Sequence, residues 1–162
     1  MGNYRLLKSV YQAYGRGDAQ PFLDAMHDDI VMEYCVPADV FRFAGPLRGK
    51  AEVVRGIGQI AEEYEWLKFN LDHLLTDGDL AIALTSGRIR HRHSKVELKV
   101  DMVDVLRLKT GKIVDMKEYF DSLGVLKKIG FNNATMTELA AKLQPGHGLV
   151  TPADGLARKA NP

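Results

Sequence analysis

The sequence has little of three features that would each point to a class of protein. Cys35 is the single cysteine among 162 residues, so no disulfide can form within the chain. The formal net charge is only +1, so bulk charge predicts neither nucleic-acid nor membrane binding. No apolar run is long enough to cross a bilayer, and the opening MGNYRLLKSV lacks the apolar stretch of a signal peptide. We therefore expect a cytoplasmic protein with neither kind of partner.

The remaining composition is that of one globular domain. Hydrophobic residues make up 46% of the chain and charged residues 27%, as in ordinary globular proteins. From residue 144 onward, proline and glycine are frequent and no periodicity is visible. We expect a single domain over residues 1–143, followed by a tail over 144–162 that is flexible or is ordered only by a neighbouring subunit.

Hydrophobic periodicity predicts helices early in the chain and strands late in it. Apolar residues three and four apart predict helices over 3–14 and 50–65, with a short helix between them that begins near Asp18. Alternation predicts strands over 30–36, 65–75, 80–92 and, as a hairpin, 95–121. A short helix over 122–129 and a capping box at Thr135 and Glu138 follow. This order indicates an α+β fold, with a curved antiparallel sheet wrapped on the N-terminal helices and leaving a concave apolar space where a pocket is expected.

Two carboxylates interrupt the apolar faces of the 95–121 hairpin. Asp104 lies among the even positions of the first strand, which are otherwise apolar between Val96 and Leu108. Glu118 shares a face of the second strand with Val114, Met116 and Phe120. A carboxylate is costly to bury without a partner or a purpose. Asp104 and Glu118 are therefore either a general acid–base pair or members of an ion-pair network with Arg88.

Further candidates surround these acids. The even positions of the strand over 80–92 begin with the apolar Leu80, Ile82 and Leu84, so we expect this face to start in the core and to leave it, or to line a pocket, near Ser86. Arg88 lies on the same face, where it would clamp an oxyanion or neutralise the acids. Tyr34 would donate a hydrogen bond to a ligand or be an ordinary core tyrosine. Another set of apolar and aromatic residues would line a pocket or simply form core: Tyr14, Met32, Phe41, Phe43, Trp66, Met102, Met116 and Phe120.

No metal or cofactor site is predicted. Six basic residues cluster over 88–95, but no aromatic residues alternate with them, which favours a solvated hairpin tip over a nucleic-acid site. His91 and His93 lack a nearby third ligand, so no metal is expected. The sequence also contains no phosphate-binding glycine loop, and we expect no cofactor.

Two segments carry a family resemblance. The opening YGRGDAQPFLDAMHDDIVMEY and the closing VDVLRLKTGKIVDMKEYFD resemble the SnoaL-like branch of the nuclear-transport-factor-2-like superfamily. That branch includes polyketide cyclases, ketosteroid isomerases and limonene epoxide hydrolases. The resemblance covers about residues 4–125, and it implies a cone of curved sheet around a deep hydrophobic cavity, usually in a homodimer.

The resemblance also implies roles for individual residues. Asp104 matches the protonated acid that donates to the oxyanion in the isomerases. Glu118 matches the water-activating aspartate of the epoxide hydrolases, and Arg88 matches the arginine beside it. Tyr34 stands where the isomerases have a general base, and Arg90 where the hydrolases have a second aspartate. The sequence thus predicts a cofactor-independent isomerase, cyclase, dehydratase or epoxide hydrolase acting on a small apolar molecule, or a non-catalytic binding or dimerisation domain of the same fold.

Overall fold

The computed structural model describes residues 2–130, which contain four helices and six strands. The helices are α1 (Asn3–Gly15), α2 (Gln20–Ala25), α3 (Lys50–Glu63) and α4 (Ser122–Ile129). The strands are β1 (Met26–Tyr34), β2 (Gly45–Arg48), β3 (Tyr64–Asp77), β4 (Leu80–His91), β5 (Glu97–Lys109) and β6 (Lys112–Phe120). The capping box at Thr135 and Glu138, the end of the predicted domain and the tail over 144–162 lie outside the described residues.

The six strands form one curved sheet in the order β2-β1-β6-β5-β4-β3, which does not close into a barrel. This confirms the predicted α+β class. The sheet is antiparallel except between β1 and β6, which run parallel. Strand β2 was not predicted: it has only four residues and opens with Gly45-Pro46, a pair typical of a loop. Among residues 2–130, no helix is both long and apolar enough to cross a membrane.

The odd-numbered positions of β4 face the core, whereas the even-numbered positions were predicted to do so. Its small odd-numbered residues Ala81, Ala83 and Thr85 are buried, whereas Arg88 is exposed. The reason is register: Ala83 pairs with Asp104, so the odd positions of β4 share a face with the even positions of β5. The inner face is built from small side chains because larger groups from other elements cover it.

The β5–β6 hairpin has the predicted turn, with one addition. Lys109 pairs with Lys112, and both intervening residues, Thr110 and Gly111, have positive φ. The register then shifts, because Leu108 pairs with Ile113 but Arg107 pairs with Asp115. Val114 is therefore an extra residue, a β-bulge.

The bulge reverses the inward and outward positions of β6. Ile113 is fully buried, while Val114, predicted to face the core, is only partly buried. Beyond the bulge, Met116 returns to the core face and Glu118 pairs with Asp104.

Trp66 lies against the inner face of β4 at Gly87, where a side chain would leave no room for it. A Cβ atom at Gly87 would lie 2.5 Å from Cζ3 of Trp66 and 2.6 Å from the carbonyl oxygen of Lys68. A contact this close with backbone cannot be relieved by a rotamer change. Gly87 therefore makes the room in which the indole of Trp66 lies.

We expect Gly87→Ala to destabilise the protein by about 1–3 kcal/mol, because Trp66 and β3 must both move. Gly58→Ala is the matched control: it lies in α3, and its Cβ would meet nothing within 4 Å. That change should stabilise the helix by up to about 1 kcal/mol. Urea unfolding monitored by tryptophan fluorescence measures both. Equal stability of the two variants would contradict the packing described for Gly87.

Candidate functional site

Three polar side chains lie in one row across the inner face of the sheet. Tyr34 of β1 pairs with Glu118 of β6, and Glu118 pairs in turn with Asp104 of β5. The next residue in the row is Ala83 of β4. Directly paired residues have Cβ atoms about 5 Å apart. The two acids are therefore neighbours, as the sequence-based hypothesis of an acid–base pair requires.

Helix α1 supplies the partner of Asp104. The Tyr11 hydroxyl donates a hydrogen bond of 2.6 Å to Oδ2 of Asp104. Both residues are 3% exposed. Oδ1 of Asp104 is buried and has no hydrogen-bond partner among residues 2–130. One oxygen of the carboxyl group is thus held in place while the other is free to contact a ligand.

Burial dominates the electrostatics of the acid pair. It raises the pKa of Asp104 to about 7, even though the hydrogen bond from Tyr11 lowers it. Burial also raises the pKa of Glu118 well above its usual range, and the charge of Asp104 raises it further. Near neutral pH the pair therefore retains a proton, and Glu118 holds it because, of the two acids, Asp104 alone accepts a hydrogen bond that stabilises its ionised form within residues 2–130.

The tyrosines around the acids stay protonated. Burial raises the pKa of Tyr11 and Tyr34 well above 10, and the pKa of Tyr14 to about 12. Asp104 and Glu118 raise all three further through their negative charge. These phenols are hydrogen-bond donors rather than bases at neutral pH.

The predicted placement of Arg88 beside the acids is contradicted. Its side chain is exposed on the outer face of the sheet, where Nε lies 3.7 Å from Oε2 of Glu97. The even positions of β4 were expected to face the core, and Arg88 is one of these positions. Within residues 2–130, none of the ion pairs includes Asp104 or Glu118. An ion-pair network with Arg88 therefore does not explain the buried acids.

Two small pockets, of about 50 Å³ each, open on the inner face of the sheet. The acid pocket, which contains Asp104, is lined by Tyr11, Tyr14, Phe22, Met32, Tyr34, Ile57, Trp66, Phe69, Thr85, Met102, Asp104, Met116 and Glu118. The aromatic pocket is lined by Phe41, Phe43, Ile60, Tyr64, Trp66, Ile89, Val100, Met102, Glu118, Phe120 and Val125. Trp66, Met102 and Glu118 belong to both, so they form the wall between the pockets.

All of the predicted site residues except Arg88 line one pocket or both. The aromatics predicted in the loop after β1, Phe41 and Phe43, are buried and line the aromatic pocket. Tyr14 and Met32 line the acid pocket. The structure thus brings together residues that are distant in sequence, while their roles remain proposals.

Two polar residues of the acid pocket, Tyr11 and Thr85, were not among the predicted site residues, although Tyr11 lies near the position of the isomerases' first-helix tyrosine. Tyr11 belongs to the apolar stripe of α1, which predicted a buried residue but not its contact with Asp104, 93 positions later in the chain. Thr85 lies on the face of β4 that was taken to point outward. A correct choice of face would have found it.

The basic residues near the β4–β5 turn are largely engaged with acids or the backbone. Arg90 contacts Glu65 at 3.2 Å and Glu97 at 2.7 Å, and Arg92 donates to the carbonyl of Ala61. Nδ1 of His91 lies 2.8 Å from the Ser94 hydroxyl oxygen. No cluster of three potential metal ligands occurs within residues 2–130.

The raised pKa of Asp104 predicts a pH-dependent stability. Its ordinary pKa is 3.8, so between about pH 4 and about pH 7 the folded protein keeps a proton that the unfolded chain releases. Stability should therefore fall as the pH rises through this window.

Asp104→Asn should flatten the fall and stabilise the protein at pH 8 by about 2–4 kcal/mol, as measured by urea unfolding. Asp101→Asn, on the exposed face of the same strand, is the control and should change stability by less than about 0.5 kcal/mol. Wild-type stability that rises across this window would contradict the assignment.

Comparison with known proteins agrees with this architecture. The family model described as SnoaL-like domain matches residues 7–116. A search of curated protein sequences finds no match. A nuclear-transport-factor-2-like protein of unknown function from Burkholderia pseudomallei has a TM-score of 0.72 at 21% identity, covering 80% of this chain and 98% of its own.

Two further solved structures share the fold. A Mesorhizobium loti protein whose name places it among the SnoaL-like polyketide cyclases has a TM-score of 0.63 at 17% identity, covering 74% of this chain and 99% of its own. A hypothetical protein with a ketosteroid isomerase-like fold from Catenulispora acidiphila, solved with trimethylamine, has a TM-score of 0.65 at 12% identity. The match covers 78% of this chain and 93% of that protein. The match over residues 7–116 spans well over half of the chain, which therefore belongs to the SnoaL-like domain family.

Proposed function

We propose that this protein is a cofactor-independent acid–base enzyme that transfers a proton on a small, largely apolar molecule. The observation that carries the proposal is that the buried Asp104 and the partly buried Glu118 lie side by side, with no cation beside either within the described residues. Burying a carboxyl group without a cationic partner lowers the free energy of unfolding, so such groups are rarely kept for stability. Groups with strongly shifted pKa values cluster at functional sites.

Asp104 and Glu118 suit different roles in this proposal. Asp104, with a pKa of about 7, is a competent general base near neutral pH, and its unpartnered Oδ1 is the atom that would accept the proton. Glu118 retains its own proton and can donate a hydrogen bond to an oxygen that gains negative charge. Tyr11 positions Asp104 through Oδ2.

The pocket linings support an apolar substrate. Aromatic and apolar side chains surround the acids, and Trp66 and Met102 lie between the two pockets. We propose that substrate occupies a single cavity formed when these two side chains move apart, because each pocket alone holds only about 50 Å³.

Within the family's reaction types, the site favours isomerisation or cyclisation over epoxide hydrolysis. The arginine expected beside the water-activating acid is Arg88, and it lies on the other face of the sheet. Two adjacent carboxyls that share one proton can instead remove a proton at one atom and return it at another. Dehydration uses the same proton transfers and stays within the proposal.

A non-catalytic small-molecule-binding or dimerisation domain is the second candidate. The small size of both pockets favours the dimerisation form, because a cavity that side chains already fill serves packing rather than ligand binding or turnover. Proton exchange catalysed at carbon separates the two functions, since a binding domain would leave substrate protons in place.

We expect the wild-type protein to incorporate solvent deuterium into small cyclic enones at the carbon next to the carbonyl group, as followed by proton NMR. Asp104→Asn and Glu118→Gln should each slow this exchange by at least about a hundredfold, because positioned acid–base groups contribute 10²–10⁴ in rate. Arg88→Gln is the control. It should stay within twofold of wild type, since Arg88 lies outside both pockets.

Carboxyl carbon-13 titration gives an independent check on the same variants. Either acid should titrate near or above neutrality in the wild-type protein. Ordinary carboxyl pKa values for both acids, or an Arg88→Gln variant as slow as the acid variants, would overturn the catalytic proposal.

We also propose that the protein is a cytoplasmic homodimer that associates through the outer face of the sheet. On this face the apolar pairs Ile82–Val105 and Leu84–Val103 lie side by side on β4 and β5. Tyr119, which pairs with Val103, is 44% exposed. Two-fold symmetry would bring this patch against its own copy.

We expect Val103→Glu to convert a dimer into a monomer, because a charge would be buried at the centre of the patch. Lys99→Glu is the control: it lies on the same strand and face but is exposed and outside the patch, so it should leave the dimer intact. Sedimentation equilibrium at micromolar concentration measures both. A monomeric wild-type protein would contradict the proposal.

A further inference from the structure

Two buried oxygen atoms in the acid pocket have no hydrogen-bond partner within residues 2–130. They are Oγ1 of Thr85 and Oδ1 of Asp104. Thr85 is 2% exposed, and both residues line the same pocket. Buried polar atoms in folded proteins are nearly always paired, so two unpaired atoms facing one pocket need an explanation.

The sheet register explains why these atoms lie close together. On the inner face, Asp104 pairs with Ala83, and Thr85 pairs with Met102. Thr85 and Asp104 are therefore diagonal neighbours on adjacent strands, at about 7–8 Å between backbones, with their side chains extending over the same part of the pocket.

A packing role does not account for the threonine. Valine has almost the same shape as threonine, contains no polar atom and favours strands equally. The backbone of Thr85 is already paired in the β4–β5 ladder, so the hydroxyl group is not needed to satisfy the strand. What the hydroxyl adds is the capacity to donate one hydrogen bond and to accept others.

We propose that Thr85 is a specificity-determining residue whose hydroxyl group binds an oxygen substituent of the substrate, beside the Asp104 oxygen that takes the proton. A substrate hydroxyl can accept a hydrogen bond from the Thr85 hydroxyl or donate one to it. A substrate carbonyl can accept from Thr85. This inference rests on the proposed function and narrows its substrate class to apolar molecules that carry a hydroxyl or carbonyl group, such as phenols, alcohols and ketones. The Thr85 hydroxyl would make no hydrogen bond with a pure hydrocarbon and so would not affect its binding.

A thermodynamic cycle tests this, with Thr85→Val on the protein side and phenol against toluene on the ligand side. Each change replaces a hydroxyl with a methyl group of similar size. We expect Thr85→Val to weaken phenol binding about five- to tenfold, as for the loss of one hydrogen bond, and to change toluene binding less than twofold. Thr85→Ser, which keeps the hydroxyl, should bind phenol within about threefold of wild type. Chemical-shift titration gives the dissociation constants.

The melting temperature of the ligand-free variant provides a second readout. Replacing an unpaired buried hydroxyl with an isosteric methyl group should raise the melting temperature of Thr85→Val by a few degrees. A merely structural hydroxyl would give a lower melting temperature and equal losses for both probes. Either of those results, or a wild-type protein to which phenol does not bind, would overturn the inference.

This test is separate from the test of catalysis. The cycle measures binding alone, so it can succeed in a protein that exchanges no deuterium, in which case only the enzymatic proposal fails. If Asp104→Asn abolishes exchange while Thr85→Val changes the dissociation constants of phenol and toluene equally, the acid–base function stands and the assignment of Thr85 fails.

Discussion

The side-by-side placement of the buried Asp104 and the partly buried Glu118 is the constraint on which the site depends, and a single inserted residue creates it. The two-residue turn alone, continued in regular register, would pair Asp104 with Lys117 and give an ordinary ion pair. The bulge at Val114 shifts the register by one, so that Glu118 takes that position and Lys117 points outward to Glu33. The insertion replaces a neutralised acid with two acids that compete for a proton.

The shared proton then needs a reason to prefer one carboxyl group, and α1 provides it. Tyr11 donates to Asp104 alone, so the symmetry of the pair is broken by one hydrogen bond from outside the sheet. The ring of Tyr11 is in turn held by an edge contact with Phe22 and a stacked contact with Phe69. Aromatic packing between α1, α2 and β3 thus controls which acid is ionised. This links the hydrophobic core directly to the chemistry of the site.

Sequence patterns predicted the parts of this arrangement that follow from local periodicity. Alternation placed Asp104 on the buried face of β5, and the glycine turn identified the hairpin. Periodicity failed on β4, where the larger side chains were taken as the core face. On this face of β4 the indole of Trp66 from β3 lies against Gly87, a contact between elements that a local sequence pattern does not reveal. Arg88 was misplaced and Thr85 was missed for this one reason.

The corrected face of β4 changes the chemistry of the site. With Arg88 inside, the acids would be ionised, neutralised and satisfied, and the site would resemble a structural ion-pair network or a water-activating centre. With Thr85 inside, the pocket has no cation from β4 and gains an uncharged hydroxyl. A pocket with one shared proton, protonated tyrosines and a free hydroxyl is suited to neutral oxygenated molecules that gain charge only during reaction. It is poorly suited to anions, because the net charge of the acid pair would repel them.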